Sequence, residues 1–267
     1  MALKPSVTGL CVGYELGSWR VADFADHIME WLPEFVLTYS EIAGVNSANM
    51  VRLMRIAAKK TYETKKFSNR GEFGELLLHA AVRQIFNSLP AISKIYYKSA
   101  TNDTVKGFDA VHVVGPPADM ELWIGEAKFY RSFPRAVKAV IKELHAHTQR
   151  DYLRTEFLLI TGKIDPKWPH ADELKKLLSE KTSLDEVFRR VRIPVFITYD
   201  SDCLSRHSIC SRLYCQEFEK EIREHRDLFE NASPPSNLSI HLFLMPLKTK
   251  KALIAELDKR LRQWRAS

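Results

Sequence analysis

The chain has 267 residues, of which 45% are hydrophobic, so we expect a sizeable core in one large domain or two small ones. It carries 40 Lys and Arg against 33 Asp and Glu, and this net charge of +7 favours polyanionic partners, although a surplus of this size also serves solubility. The four cysteines form no CxxC pair, and no apolar run is long enough for an export signal or a membrane span. We therefore expect a cytoplasmic protein with free thiols and no membrane contact.

The first 66 residues predict a mainly helical N-terminal lobe. A short strand is expected within residues 1–15, and apolar residues recur at helical spacing from Trp19 to Pro33. A second helix is predicted from Ser47, as the N-cap, to about Thr64. Its apolar stripe is Met50, Leu53, Met54 and Ala57. Its opposite side is basic, with Arg52, Arg55, Lys59, Lys60, Lys65 and Lys66, and is either a solvated surface or a contact for phosphates or a partner.

Residues 71–88 predict a buried helix that contains two acidic residues. Glu72 lies at its start, where a carboxylate commonly pairs with the helix dipole. Glu75 is followed by three leucines, so a solvated position explains it less well. A strand is predicted at 91–100, with turn residues Asn102 and Asp103 after it.

The stretch from Lys106 to Tyr130 predicts a β-hairpin with charged side chains at its end. Gly115, Pro116 and Pro117 separate two runs of apolar residues. If residues 116–119 form the loop, Val113 lies opposite Leu122 and Val111 opposite Ile124, in one continuous apolar surface. The same register brings Asp109 beside Glu126, and Lys128 projects from the same face as Glu126.

Two carboxylates and a lysine on one buried face have a chemical use. Carboxylate oxygens are the ligands that Mg²⁺ prefers, and Mn²⁺ can take its place. A bound cation can polarise a phosphodiester and activate a water molecule, while the lysine orients that water or stabilises negative charge. Asp109 and Glu126 are therefore the predicted metal ligands, and Lys128 is the predicted catalytic lysine.

The order GFD, hairpin, GEAK resembles the active-site hairpin of the PD-(D/E)xK nuclease superfamily, with Phe108 in place of the proline that often precedes the aspartate. The resemblance implies a restriction-endonuclease-like α/β fold, with a mixed central sheet flanked by helices. It also implies a third acid on the preceding helix, which matches Glu75 better than Glu72. By size and motif order the whole chain is similar to the HamA family of Hachiman anti-phage effectors. That similarity implies a role in antiviral defence under the control of a helicase-like partner of the HamB type.

The rest of the chain predicts further α/β elements. A long helix is expected over 132–154, with Arg131, Arg135, Lys138 and Lys142 near the site, and a strongly apolar strand over 155–164. His145 and His147 could approach the site, but H-x-H spacing on a helix does not put both rings on one face. Strands are predicted from Ile193 and over 237–247. Cys203, His207, Cys210 and Cys215 have the residue types of a zinc site, but their spacing fits no defensible ligand pattern.

We thus predict three segments: a helical lobe at 1–66, a nuclease core at 67–247 and an amphipathic C-terminal helix at 248–267 that packs on its own core or binds a partner. The predicted activity is Mg²⁺-dependent hydrolysis of phosphodiester bonds, most naturally of DNA, by Asp109, Glu126, Lys128 and Glu75. Two alternatives stay open. One is a non-catalytic nucleic-acid-binding or assembly subunit on the same fold, and the other is a restriction or repair endonuclease.

Overall fold

The structure is a computed structural model that describes residues 4–62, 71–93 and 107–266. Several predicted features lie outside these residues: Lys65 and Lys66, the end of the second helix, most of the strand at 91–100, and the turn at Asn102 and Asp103.

A six-stranded mixed sheet forms the centre of the molecule, as the sequence predicts. The strand order in the sheet is β1-β8-β7-β6-β5-β4. The pairs β1/β8, β8/β7 and β7/β6 are parallel, and the pairs β6/β5 and β5/β4 are antiparallel. Its strands are β1 (Ser6–Gly9), β4 (Leu89–Ser93), β5 (Ala110–Val114), β6 (Glu121–Phe129), β7 (Val191–Asp200) and β8 (Ile240–Leu247). A separate two-stranded hairpin pairs β2 (Tyr14–Glu15) with β3 (Ser18–Trp19).

Helices cover both faces of this sheet. The first five are α1 (Val21–Glu30), α2 (Leu32–Val36), α3 (Tyr39–Ile42), α4 (Met50–Tyr62) and α5 (Gly71–Phe86). The next four are α6 (Phe133–His147), α7 (Arg150–Lys163), α8 (Ala171–Leu177) and α9 (Leu184–Arg190). The last three are α10 (Asp202–Arg206), α11 (Arg212–Asn231) and α12 (Lys250–Ala266). None of the helices in the described ranges combines the length and apolarity needed to cross a bilayer.

Strand alternation divides the core into two layers. On one side, which we call the α6 face, Leu122 and Ile124 of β6 pack with Val140 of α6. On the other, the α5 face, Trp123 and Phe129 pack with helix α5. Because β6 alternates between these faces, Glu126 and Lys128 belong to the α6 face, as predicted.

The predicted hairpin register is confirmed. Val113 pairs with Leu122 and Val111 with Ile124, and a short 3₁₀ turn at Pro117–Asp119 closes the loop. A shift of one residue would have moved Asp109 to the other face.

The strand predicted at 155–164 is wrong, because residues 155–163 lie in helix α7 and Ile164 is its C-cap. The predicted long helix ends earlier, at His147, and Gln149 is extended (φ −66°, ψ 138°) between the two helices. The buried residues of this region, Leu153, Phe157, Ile160 and Ile164, recur at helical spacing, whereas Leu158 is 66% exposed. This run of apolar residues therefore belongs to an amphipathic helix, of which only one stripe is buried.

The predicted N-cap at Ser47 is also wrong, because α4 begins at Met50. The chain before it is held by asparagine side chains: the Asn49 amide oxygen accepts from the Asn46 N–H at 2.8 Å, and Asn46 in turn accepts from the Ala48 N–H at 2.9 Å. These local bonds compete with the helix and delay its start. Met50 is consequently exposed, while Leu53 and Ala57 are buried as predicted.

The C-terminal helix packs on its own core, as expected. Leu253, Leu257 and Leu261 of α12 are fully buried against α1 and α4. The Arg260 guanidinium donates to the Asp26 carboxylate at 2.7 Å and so ties α12 to α1. Strand β1, near the N-terminus, forms one edge of the central sheet and pairs with β8. The division at residues 66 and 247 stays a prediction.

Candidate metal-dependent nuclease site

Three of the predicted site residues lie together where β5 begins and β6 ends. Asp109 is 5% exposed, Glu126 1% and Lys128 8%. Ionised side chains are rarely buried this deeply without partners, so the surroundings of each one indicate its role.

Asp109 is fixed by the backbone of the neighbouring strand. The ladder between β5 and β6 ends at Ala110 and Gly125, and the Asp109 N–H then donates to the Gly125 carbonyl at 2.8 Å. Its carboxylate Oδ2 accepts the Ala127 N–H, also at 2.8 Å. These two bonds hold the carboxylate beside the Glu126 position.

Glu126 is the most deeply buried of the three. Burial raises its pKa to about 7, and the like charge of Asp109 acts in the same direction. His147 Nδ1 lies 2.6 Å from Glu126 Oε1, and the ammonium of Lys128 lies 3.6 Å from Oε2. These two neighbours offset only part of the cost of ionising Glu126, so the pair of carboxylates would gain from a further positive charge.

Lys128 forms a hydrogen-bonded ion pair with Glu143 of α6. Burial alone would lower the pKa of Lys128, but the carboxylates around the ammonium outweigh burial and raise it. Those carboxylates belong to Glu126, Asp109 and Glu143. Lys128 therefore stays charged at neutral pH, as a group that stabilises negative charge must.

Helix α6 thus contributes Glu143 and His147. Glu143 was not predicted from the sequence, and His147 was expected only to approach the site, not to belong to it. The two are four residues apart, so both point from one face of α6 toward β6. The His147 ring is further held by stacking on Tyr152, at 4.5 Å between centroids, and by an edge contact with Phe108. An E-x-x-x-H spacing in the helix directly after E-x-K was the available signal, but only tertiary packing shows that it faces the site.

A second acidic residue beyond the predicted set, Glu156 of α7, lies at the entrance to β5. It is 7% exposed, and its carboxylate packs against Gly107, whose φ of +142° suits glycine. A side chain at residue 107 would collide with this carboxylate, so Gly107 is required both by its backbone conformation and by the space available.

Glu75 lies on α5, which packs on the α5 face of the sheet. Gly74 faces the side chains of Phe129 and Ala127, and Leu78 faces Gly125. Glu75 is half-buried and Glu72 is 9% exposed. Asp109, Glu126 and Lys128 are therefore brought together on the α6 face, whereas the helix that bears Glu75 lies against the opposite one.

The basic side chains predicted near the site lie on the surface. Arg135, Lys138 and Lys142 are exposed along α6, and Arg131 pairs with Asp200 at 2.9 Å. On α4, Arg52, Arg55 and Lys59 are exposed, and Lys60 pairs with Glu41 at 2.9 Å.

The residues present fit a hard divalent cation. Asp109 and Glu126 offer carboxylate oxygens. Burial is the main cause of the raised pKa of Glu126 and the like charge of Asp109 adds to it, so the ionised pair carries an excess of negative charge. Such a cation would neutralise that excess, and Lys128 lies beside both carboxylates. This combination suits hydrolysis of a phosphate ester.

Comparisons with known proteins agree on one family. The model of the HamA family matches residues 2–261. Anti-bacteriophage protein A of Escherichia coli (strain K12) is 25% identical over 261 residues, covering 94% of this chain and 47% of that protein. The chain thus spans about half the length of this curated relative. Because the family match extends over nearly the whole sequence, the chain belongs to the HamA family.

Proposed function

We propose that this HamA-family chain is a metal-dependent nuclease of the PD-(D/E)xK type that hydrolyses phosphodiester bonds of DNA. The observation that carries the proposal is the buried set of Asp109, Glu126 and Lys128 on adjacent strands, in the register that the D-hairpin-ExK motif requires. A set of buried charges with a surplus of carboxylates is costly for a scaffold and useful for a metal enzyme.

Each residue has a distinct part in this proposal. Asp109 and Glu126 would hold Mg²⁺, or Mn²⁺ in its place. Glu75, with Glu72 as the fallback, stays the third acid that only the family resemblance implies, because α5 packs on the opposite face of the sheet from the two carboxylates. When bound by the two carboxylates, such a cation would supply Lewis acidity toward the phosphate and would lower the pKa of a coordinated water molecule. Lys128 positions the attacking water and stabilises charge on the phosphate, and Glu143 orients the Lys128 ammonium.

The biological role that we propose is defence against bacteriophage. Its supports are the family match and the name of the relative, anti-bacteriophage protein A. We also propose that a helicase-like partner of the HamB type restrains the nuclease until foreign or damaged nucleic acid is sensed. The exposed lysines and arginines of α6 supply a surface that suits a nucleic-acid backbone.

The test is plasmid cleavage by the purified chain with Mg²⁺ and with EDTA. We expect cleavage in Mg²⁺ only, and its loss in Glu126→Ala and Lys128→Ala, because these substitutions remove a metal ligand and the cationic stabiliser. A drop of about 10²- to 10³-fold is typical for one such group. Lys176→Ala, at an exposed position of α8, is the matched control and should keep full activity. Circular dichroism checks that each variant is folded.

One observation favours a second candidate, a non-catalytic nucleic-acid-binding or assembly subunit. Lys128 is already paired with Glu143, and Glu126 with His147, as in a structural ion-pair network. If the wild-type chain shows no Mg²⁺-dependent cleavage even with a helicase partner and ATP present, this second candidate replaces the nuclease. If cleavage appears only with the partner, the chain is a nuclease that the partner controls.

A further inference from the structure

A second cluster of metal-ligand side chains lies at the junction of α10 and α11. Cys203, His207 and Glu217 each offer one ligand atom, and the three atoms lie within 4.8 Å of one another. His207 Nε2 and Glu217 Oε2 lie 3.1 Å apart.

Local sequence explains why these three residues meet. Ser201 caps α10 by accepting the Leu204 N–H, so Cys203 and His207 fall one helical turn apart. Ser211 caps α11 in the same way, which places Glu217 in its second turn. The Ser201 hydroxyl also donates to Glu221 of α11 at 2.9 Å and ties the two helices together.

The cluster is partly shielded from water. Cys203 is 2% exposed, and the side chains of His207 and Glu217 are 13% and 33% exposed. Cys203 belongs to a small apolar cluster with Leu204 and Tyr214, separate from the two main core layers. A site that is closed on the thiol side and open on the carboxylate side leaves a route for an ion to enter.

We propose that Cys203, His207 and Glu217 bind a borderline-soft divalent ion of the zinc type. Thiolate, imidazole and carboxylate are the three ligand classes of protein zinc sites. Tetrahedral bonds of about 2.0–2.3 Å place ligand atoms roughly 3.3–3.6 Å apart. The observed separations, 3.1 Å between His207 and Glu217 and at most 4.8 Å within the cluster, reach that range through side-chain rotations. Water takes the fourth position, and the thiol proton of Cys203 is released to solvent on binding.

The charge of the site fits this ion. In the structure the Arg206 guanidinium donates to Glu217 Oε2 at 2.8 Å and so supplies positive charge there. A divalent cation with one thiolate and one carboxylate is neutral overall, so Arg206 is no longer required at Glu217. Its side chain is 62% exposed and can turn into solvent. The ion would join α10 to α11 just beyond the end of β7.

The test is titration of the full metal-free chain with Co²⁺, a spectroscopic substitute for zinc. We expect one equivalent to produce thiolate-to-cobalt charge-transfer absorption, and Zn²⁺ to displace it. Cys203→Ser should abolish the charge-transfer band, and Glu217→Gln should weaken Co²⁺ binding by more than about tenfold. Cys215→Ser, an exposed cysteine on α11, is the matched control and should leave the spectrum unchanged.

Two results would overturn the proposal: no charge-transfer band at one equivalent of Co²⁺, or a band that persists in Cys203→Ser. Because Cys203 is buried, Glu217→Gln serves as the second variant if Cys203→Ser fails to fold; unchanged Co²⁺ affinity in that variant would also exclude the site. The proposal is independent of the nuclease, and neither result depends on cleavage activity.

Discussion

Glu126 shows at a single residue how stability and function oppose each other. Its pKa when folded lies above that of an exposed glutamate, so its ionised form destabilises the fold. This cost is absent below about pH 4.5 and grows as pH rises toward 7, because the folded state then loses a proton that it holds more tightly than the unfolded state does. A bound cation would reverse the effect.

We therefore predict that Glu126→Gln stabilises the metal-free chain while it removes activity. At pH 8 the free energy of unfolding should rise by at most roughly 3 kcal/mol, since a pKa raised from 4.5 to about 7 corresponds to about that value. The advantage should shrink as pH falls toward 5. Urea unfolding at both pH values measures this difference in stability.

Glu121→Gln on the same strand is the control, and it should not stabilise the chain, because Glu121 pairs with Arg192 at 2.6 Å. Equal stabilities of wild type and Glu126→Gln at pH 8 would contradict the prediction.

The choice of third acid gives a second prediction at this scale. Glu75→Gln should lower Mg²⁺-dependent cleavage by at least about tenfold, whereas Glu72→Gln should retain most of it. Rates measured over a range of Mg²⁺ concentrations separate loss of metal affinity from loss of chemistry. If Glu72→Gln has the larger effect, Glu72 is the ligand. If neither substitution changes cleavage, α5 contributes no ligand to the site.

The sequence allowed the choice of Asp109, Glu126 and Lys128, because strand alternation and hairpin register are properties of one continuous stretch. Glu143 and His147 could not be chosen in the same way. They reach β6 only because α6 packs across the sheet, and this contact is between elements that the sequence does not relate directly. Glu156 was missed for a further reason: its helix was predicted to be a strand.

At the scale of elements, α7 shows the limit of reasoning from apolar runs. An apolar run such as FLLI is typical of a buried strand, yet only Phe157 and Ile160 of this run are buried, and Leu158 is exposed. The deciding feature was the spacing of the buried residues from Leu153 to Ile164, which is helical. Strands β5, β6, β7 and β8 were predicted correctly, because most of their residues are buried and turns bound them. The short pair β2 and β3 was not, since Trp19 of β3 was predicted to begin a helix.

Close packing of α5 on β6 gives the prediction at this scale. A methyl group at Gly74 would lie 2.9 Å from Phe129 Cβ, whereas one at Gly162 of α7 meets no atom within 4 Å. Gly74→Ala should destabilise by about 1–3 kcal/mol through overpacking. Gly162→Ala should stabilise by roughly 0.5–1 kcal/mol, because alanine favours the helix. Thermal unfolding of both variants measures this, and shifts of the same sign would contradict the packing described here.

At the scale of the whole molecule, buried histidines are spread across the α5 side of the fold. His79 of α5, His112 of β5 and His241 of β8 all have lowered pKa values, with burial as the main cause. The pKa of His241 falls to about 4. Hydroxyl groups of Ser6 and Thr8 lie within hydrogen-bond distance of its two ring nitrogens.

We predict that His79, His112 and His241 lower the stability of the chain as pH falls from about 6.5 toward 4. The contribution of Glu126 over the same range has the opposite sign. A histidine with a lowered folded pKa binds its proton more readily when unfolded, so acid favours the unfolded state in this window. His241→Gln should show a smaller loss of unfolding free energy between pH 7 and pH 5 than the wild type. Denaturant unfolding at the two pH values provides the comparison. Identical losses in both proteins would assign the acid sensitivity to other groups.

The α/β class, the mixed sheet and the packing of the C-terminal helix followed from patterns along the chain. The order of strands in the sheet did not, because parallel neighbours such as β6 and β7 are far apart in sequence. Nor did the meeting of Cys203 and His207 with Glu217, which depends on how α11 folds back on α10.

Binding of Mn²⁺ to the purified chain, followed by electron paramagnetic resonance, tests whether Asp109 and Glu126 form a metal site. Mn²⁺ prefers oxygen ligands, so it reports on the Asp109 and Glu126 site whether or not a partner is needed for cleavage. We predict saturable Mn²⁺ binding that Asp109→Asn abolishes and that Asp119→Asn, an exposed position in the same hairpin, leaves intact. Equal binding by the two variants, or none by the wild type, would contradict this prediction.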